Sequence, residues 1–296
     1  MDANATVIGI DLGGTKIDAA RYNSSWEIEE SLRMDTEASQ GFEHVFEELL
    51  SAVAALKNDT TAAIGIGVPG LVLHPEGKIL QLPNIPGAEN ILLQKMLTEK
   101  TGLTCIVDND ANCFALAEVL HGAGKGHSVA VGITMGTGVG GGIVLHGQLL
   151  QGSQGFAGEF GHMLLMPGNP PFETSDKRGD IEQFLSGTAM GKRCTEAKSP
   201  EEYLDGKVCS FMQPDIYREV AWMCTNIIHM LDPSVIIFGG SAGKAVTAHL
   251  KEITTELEAW ILPGTPLPLL KPAELKDAAT LGAALLTNQA TQASGA

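Results

Sequence analysis

The sequence predicts an α/β fold arranged as two lobes, and three features of the chain carry that prediction. Short apolar runs alternate with stretches whose apolar positions recur at helical spacing, the pattern of strands and helices taken in turn. One strand-turn-strand string, "GIDLGGT" at Gly9 to Thr15, returns in related form as "GITMGTG" at Gly132 to Gly138. The 296 residues suffice for one large domain or two modest ones. No low-complexity tract or long linker interrupts them, so two lobes sharing a cleft are expected.

Taken in order, "TVIGIDLGGTKIDAARYN" predicts two strands joined by a glycine turn, with the first strand starting near Thr6. "SQGFEHVFEELLSAVAAL" predicts an amphipathic helix, and "AAIGIGVPGLVL" a strand that ends in a Pro-Gly turn. A second helix around "NILLQKMLTEKTG" leads to the strand "LTCIVDND". The helix "DANCFALAEVLHG" follows, with Asp110 where an N-cap belongs and Gly122 where the chain should leave it. From Ser128 the pattern restarts with two strands around a glycine-rich turn in "SVAVGITMGTGVGGGIVLHGQLL". A polar loop is expected near 169–179, a long amphipathic helix at "DIYREVAWMCTNIIHMLDP", and a buried strand at "SVIIFGGSA". The first lobe is expected over residues 1–112, completed by a C-terminal helix at 276–296, and the second over 113–275.

Composition narrows the function. Nineteen basic against 35 acidic residues give a formal net charge of −16, and no basic patch is evident, which argues against nucleic acid as a ligand. The N-terminal segment has an acidic residue at position 2 and glycines inside its apolar run, unlike a signal peptide or anchor. No run reaches the roughly 18 apolar residues that span a bilayer. A cytoplasmic protein without membrane contact is expected. The five cysteines, Cys105, Cys113, Cys194, Cys209 and Cys224, form no CxxC pair and read as reduced thiols.

An apolar strand that ends in glycines brings bare backbone N–H groups to a point, which suits an anion. Neither common nucleotide fingerprint explains these turns. "GTGVGG" at Gly136 to Gly141 satisfies G-x-G-x-x-G but runs into a strand, where a dinucleotide site requires a helix. "GSAGKA" around Lys244 has Ala245 where a P-loop holds Ser or Thr. Two hairpins, one per lobe, are another way to grip a polyphosphate. Thr15, Lys16 and Thr137 would add donors, and Asp11 could carry magnesium through water.

"GIDLGGTK", "GVPG", "DNDANCFALAE", "MGTGVGGGI" and "GEFGHM" together resemble the ROK family (repressors, open reading frames and kinases), within the superfamily of sugar kinases, actin and heat-shock ATPases. The motifs occur in the family's order over nearly the whole chain. The resemblance implies a duplicated ribonuclease-H-like fold and ATP-dependent phosphorylation of a hexose. Gly13, Gly14, Thr15 and Lys16 in one lobe and Gly136, Thr137 and Gly138 in the other would contact the phosphates, with Gly239 and Gly240 beside the adenosine. It further implies Asp110 as general base, a role compatible with capping, and Asn109, Asn84, Glu159, His162, Glu182 and the backbone at Gly70 as sugar ligands. Asp108 is left without a role. A homodimer and closure of the lobes over the sugar are expected on the same ground.

Many relatives hold a structural zinc with the histidine of "GHM" and three downstream cysteines; this chain has "PPFETSDKRGDIE" there. Zinc needs about four good ligands, so none is expected, which leaves open what holds the loop. Glucose is the expected substrate, with N-acetylglucosamine or N-acetylmannosamine as alternatives. A sugar-binding sensor without catalysis is the alternative of another class. A repressor would need a DNA-binding domain ahead of Thr6, and a chaperone or filament ATPase would need subdomains for which the chain is too short.

Overall fold

A computed structural model describes residues 4–205 and 207–293. The first part of the chain forms β1 (Thr6–Leu12), β2 (Lys16–Tyr22), β3 (Ile28–Asp35), α1 (Phe42–Leu56), β4 (Thr61–Val68), β5 (Leu71–Leu73), β6 (Lys78–Gln81), β7 (Glu89–Ile91), α2 (Leu93–Thr101), β8 (Thr104–Asn109) and α3 (Asp110–His121). Then come β9 (Val129–Met135), β10 (Val139–Leu145), β11 (Gln148–Leu149), α4 (Ile181–Leu185), α5 (Gly187–Arg193), α6 (Gln213–Leu231), β12 (Val235–Gly239), α7 (Ser241–Thr247), α8 (Leu250–Glu258), β13 (Leu269–Pro272) and α9 (Ala278–Ala293). The last three residues of the C-terminal helix expected at 276–296 lie outside the described residues.

The chain divides into two compact units, one of residues 1–117, 148–157 and 276–296, the other of 118–147 and 158–275. In the first, the sheet order is β3-β2-β1-β4-β8. β1 and β2 are antiparallel, whereas β1, β4 and β8 run parallel. The sheet of the second unit has β10-β9-β12-β13 in that order, with β9 and β10 antiparallel and β9, β12 and β13 parallel. That is the order and polarity of β2-β1-β4-β8 again. The repeat of the glycine hairpin in the sequence is thus the visible part of a repeat of the ribonuclease-H-like sheet.

In the first unit α1 buries Val45, Phe46, Leu49, Val53 and Leu56, one stripe at helical spacing. Each fully buried Leu or Ile stabilises the fold by about 1.5–3 kcal/mol. The other side of the sheet takes α9, which lies so close that its backbone touches the strands. A Cβ at Gly65 would fall 1.7 Å from the Ala283 carbonyl oxygen, and one at Gly9 would fall 2.0 Å from that of Thr280. Glycine is required at both positions by space. Residues 148–157 join this unit through the bond from the His74 N–H to the Gln154 carbonyl (3.0 Å), with a second from the Leu149 N–H to Gln289 Oε1 (3.0 Å).

The cysteine expectation needs correction. Cys105, Cys113 and Cys224 are free and buried, but Cys194 and Cys209 form a disulfide. Cys194 ends α5 and Cys209 precedes the 3-10 turn Ser210–Met212. The intervening chain folds back and brings the two Cα atoms to 6.0 Å, a separation a disulfide can bridge. A partner 15 residues away leaves no local sequence signal.

Candidate active site

In the first unit β1 and β2 meet at the turn Gly13–Thr15, closed by the Gly13 N–H donating to the Lys16 carbonyl (2.8 Å). Thr36, fully buried, braces it from behind. Its hydroxyl donates to the Gly13 carbonyl (2.7 Å) and its N–H to that of Thr15 (2.9 Å). The Lys16 ammonium pairs with Asp35 across the β2/β3 register. Asn84 lies against the turn, since a Cβ at Gly14 would sit 3.2 Å from its Nδ2.

Asp11 lies two residues before the turn, directly across the register from Asp18. Its carboxyl is pushed up to about 7, first by burial and then by the negative charges of Asp110 and Asp18, with Arg33 opposing. Arg33 is committed to Asp18, 2.9 Å from Nη2 to Oδ2, so it offsets the repulsion only in part.

Asp110 does not cap α3. Strand β8 continues through Asn109, held by pairing with Val68 of β4, and the helix starts at Asp110. Asn109 is therefore the cap: its Oδ1 accepts from the N–H groups of Ala111 (2.9 Å) and Asn112 (3.3 Å). Its Nδ2 donates to the Gly70 carbonyl (3.0 Å), which joins two of the residues implied as sugar ligands. Asp110 sits in the first turn and accepts from the Ala111 N–H (2.8 Å), where a helix favours a carboxylate.

Asp108, which the sequence left unassigned, is buried. It accepts from the Asn109 N–H (2.7 Å), Asn112 Nδ2 (2.8 Å) and Gln151 Nε2 (2.6 Å). Burial raises its pKa while these three donors pull it back. Asp108 and Gln151 thus hold the Asn109–Asp110 corner in place. No motif marks Gln151; the acidic residue just before "ND" was the available signal.

In the second unit the turn Gly136–Gly138 between β9 and β10 is closed by the Gly136 N–H donating to the Gly138 carbonyl (2.9 Å). The start of α5 braces it: the Gly187 N–H donates to the Gly136 carbonyl (2.7 Å) and the Thr188 hydroxyl to that of Thr137 (2.8 Å). Glu182, on α4, accepts the Val139 N–H at Oε2 (2.9 Å). The same oxygen would lie 2.4 Å from a Cβ at Gly138, so a side chain there would push the Glu182 carboxylate aside.

Glu159 precedes the 3-10 turn Phe160–His162. Its pKa is raised, chiefly by burial, with His162 lowering it and Glu182 adding to the rise. The second unit therefore brings Glu159, His162 and Glu182 into one electrostatic neighbourhood. Gly239 and Gly240 close β12. Gly240 has φ of 81°, and a Cβ there would meet the Met135 carbonyl oxygen at 2.4 Å, so the chain can pass the end of β9 only as glycine.

The residues around His162 do not fit zinc. The segment from Met163 to Ile181 has no cysteine, and Nδ1 of His162 faces Asp180 Oδ2 at 3.4 Å. Arg178 Nε approaches the same oxygen at 3.3 Å, a cation where a metal would need an open ligand. Among the described residues no three His, Cys, Asp or Glu side chains group to hold a metal, and no helix is long and apolar enough to cross a membrane.

The ROK family model matches residues 7–290. A glucokinase of Thermotoga maritima is 30% identical over 311 residues, covering 96% of this chain and 97% of its own. An N-acetyl-D-glucosamine kinase of Histophilus somni is 32% identical over 305 residues, covering 94% and 97%. Among solved structures, a ROK family glucokinase from Streptomyces griseus in complex with glucose and AMPPNP superimposes with a TM-score of 0.75 at 28% identity, covering 96% of this chain and all of that one. With a match over nearly the whole chain, the same double sheet and both glycine hairpins in place, this protein belongs to the ROK family.

Proposed function

We propose that the chain is an ATP-dependent hexose kinase that transfers the γ-phosphoryl group of ATP to the 6-OH of glucose. The observation that carries the reading is the Asn109–Asp110 corner. Asn109 takes over the capping of α3, and Asp110 is held beside it on a network anchored by buried Asp108.

On this reading Asp110 accepts the proton of the sugar hydroxyl as its oxygen bonds to the γ-phosphorus, and the bond to the bridging oxygen breaks to release ADP. Asn109, Asn84, the Gly70 backbone, Glu159, His162 and Glu182 hold the sugar hydroxyls. The turns Gly13–Lys16 and Gly136–Gly138 hold the phosphates, and Gly239 and Gly240 lie beside the adenosine. Magnesium fits at Asp11, because a carboxyl pushed up by burial and then by the neighbouring anions Asp110 and Asp18 is relieved by a divalent cation. Bound with ATP, the ion would neutralise charge on the transferring phosphoryl group.

The test is ADP release with magnesium-ATP against glucose, N-acetylglucosamine, N-acetylmannosamine and mannose, with Asp110→Asn as control. Losing a general base costs about 10²–10⁴ in rate, so turnover on glucose should fall by that factor in a folded variant. Full activity in Asp110→Asn would end the assignment. Faster turnover on N-acetylglucosamine would move the substrate to the second reading, which the Histophilus relative favours. Sugar binding without turnover would favour the sensor.

A homodimer belongs to the same reading and is supported by the exposed Leu164, Met230 and Leu262 of the second unit; sedimentation equilibrium showing only monomer would remove it. A cytoplasmic location has to be reconciled with the Cys194–Cys209 disulfide, since cytosolic disulfides are rare. Alkylation of intact cells followed by mass analysis of those two cysteines decides it, a disulfide in cells counting against the cytoplasm.

A further inference from the structure

Asp180 touches both stretches that carry the second unit's sugar candidates. It is buried and caps α4, its Oδ1 accepting from the Gln183 N–H (3.2 Å). That helix presents Glu182, whose carboxylate bonds Val139 in the second hairpin. The other oxygen of Asp180 faces Nδ1 of His162 at 3.4 Å. Around it, the loop is tied by the Ile181 N–H to the Met163 carbonyl (2.9 Å), the Gly179 N–H to Gln183 Oε1 (2.8 Å) and Gln183 Nε2 to Asp176 Oδ1 (2.8 Å).

We propose that Asp180 is a positioning residue for sugar binding: one buried carboxylate sets the ring of His162 and the helix that carries Glu182, the task that zinc cannot perform here because its ligands do not fit. The inference rests on the assignment of His162 to the sugar. A carboxylate only accepts hydrogen bonds, so in the neutral ring Asp180 selects the tautomer with its proton on Nδ1. Nε2 is then the acceptor for a sugar hydroxyl. Arg178 Nε stands 3.3 Å from the same oxygen of Asp180 that faces His162, so the buried carboxylate has a cationic partner, and a paired charge tolerates burial that a lone one does not.

The experiment is a double-mutant cycle. Asp180→Ser keeps a good capping oxygen but cannot reach His162. Steady-state kinetics on glucose and ATP are measured for wild type, Asp180→Ser, His162→Ala and the double variant, with ¹⁵N imidazole spectra of the first two. Misplacing a ligand by about 1 Å can cost on the order of 10²-fold; a rise of about tenfold in the glucose KM of Asp180→Ser is expected, with the ATP KM within about twofold. In the His162→Ala background the same change should add less than about twofold, as coupled neighbours do. The spectra should show the proton leaving Nδ1 of His162.

Equal effects of Asp180→Ser with and without His162, or an unchanged His162 spectrum, would overturn the proposal. A His162→Ala variant with unaltered glucose KM would refute the sugar assignment instead, and the spectrum would still report on the Asp180 contact. Should Asp180→Ser fail to fold, Asp180→Asn serves. It keeps cap and size but loses the charge, and parity with wild type in both KM values and the spectrum would overturn the proposal equally.

Discussion

Replacing Asp11 with Asn should make the unliganded protein more stable and the enzyme worse. The Asp11 carboxyl rises from 3.8 to about 7 on folding, so the folded state binds a proton that the unfolded chain has already released between those values. Stability therefore falls as the pH rises through that window, and the full penalty is present above about 7. About 3 units at 1.36 kcal/mol each set an upper bound of about 4 kcal/mol. At pH 5 only about 1.6 kcal/mol of it is in force. Asn keeps the shape of Asp without the charge, so the gain of Asp11→Asn should grow by about 2 kcal/mol from pH 5 to pH 8. That corresponds to roughly 4–8 °C in Tm for a protein or unit of this size. Thermal unfolding of both proteins at pH 5 and 8, without nucleotide, reads the difference. Equal gains at the two pH values, or none, would refute the repulsion argument. Loss of magnesium-ATP turnover alongside the gain would identify the strain as the cost of a cation site.

Other outcomes follow from packing and hydrogen bonding. Gly65→Ala drives a methyl to 1.7 Å from the Ala283 carbonyl oxygen and should cost at least about 3 kcal/mol, at the upper end for overpacking; urea unfolding within 1 kcal/mol of wild type would show that α9 can move away. Thr188→Val leaves the Thr137 carbonyl without its hydroxyl donor, a loss of about 1 kcal/mol, and should raise the ATP KM about fivefold while leaving the glucose KM alone. Reducing the Cys194–Cys209 bond, or Cys194→Ser, opens a loop of 15 residues and should lower stability by about 3 kcal/mol. Denaturant midpoints unaffected by reductant, with thiol labelling confirming reduction, would contradict that.

The parts of the fold that rest on local chemistry were legible. Glycines at strand ends announced both hairpins, and the apolar stripe of α1 is visible without any partner. The rest depends on contacts that sequence spacing does not encode. α4 and α5 have five and seven residues, too short for a period to stand out. The strands of the small sheet β5-β6-β7 have three or four residues each. The cap of α3 was misplaced by one residue because Asn109 and Asp110 are both good caps, and the pairing of Asn109 with Val68 chose between them. No motif marks Asp180; its burial against His162 and Arg178 exists only after the loop folds back.

The two hairpins show why the brace matters as much as the glycines. A glycine turn can approach a phosphate because it has no side chains, and for the same reason nothing of its own holds it rigid. In the first unit Thr36 takes the carbonyl oxygens of Gly13 and Thr15. In the second, Gly187 and Thr188 take those of Gly136 and Thr137. Each turn thus has its negative ends engaged from behind by protein donors. What such a turn has left to present is the positive end of its peptide dipoles, which is the polarity an anion needs. Thr36 follows the exposed edge strand β3 and Thr188 begins a short helix, so the two braces share no sequence motif; the repeated fold requires that the carbonyls be held, and each unit meets the requirement with whichever threonine its topology brings there.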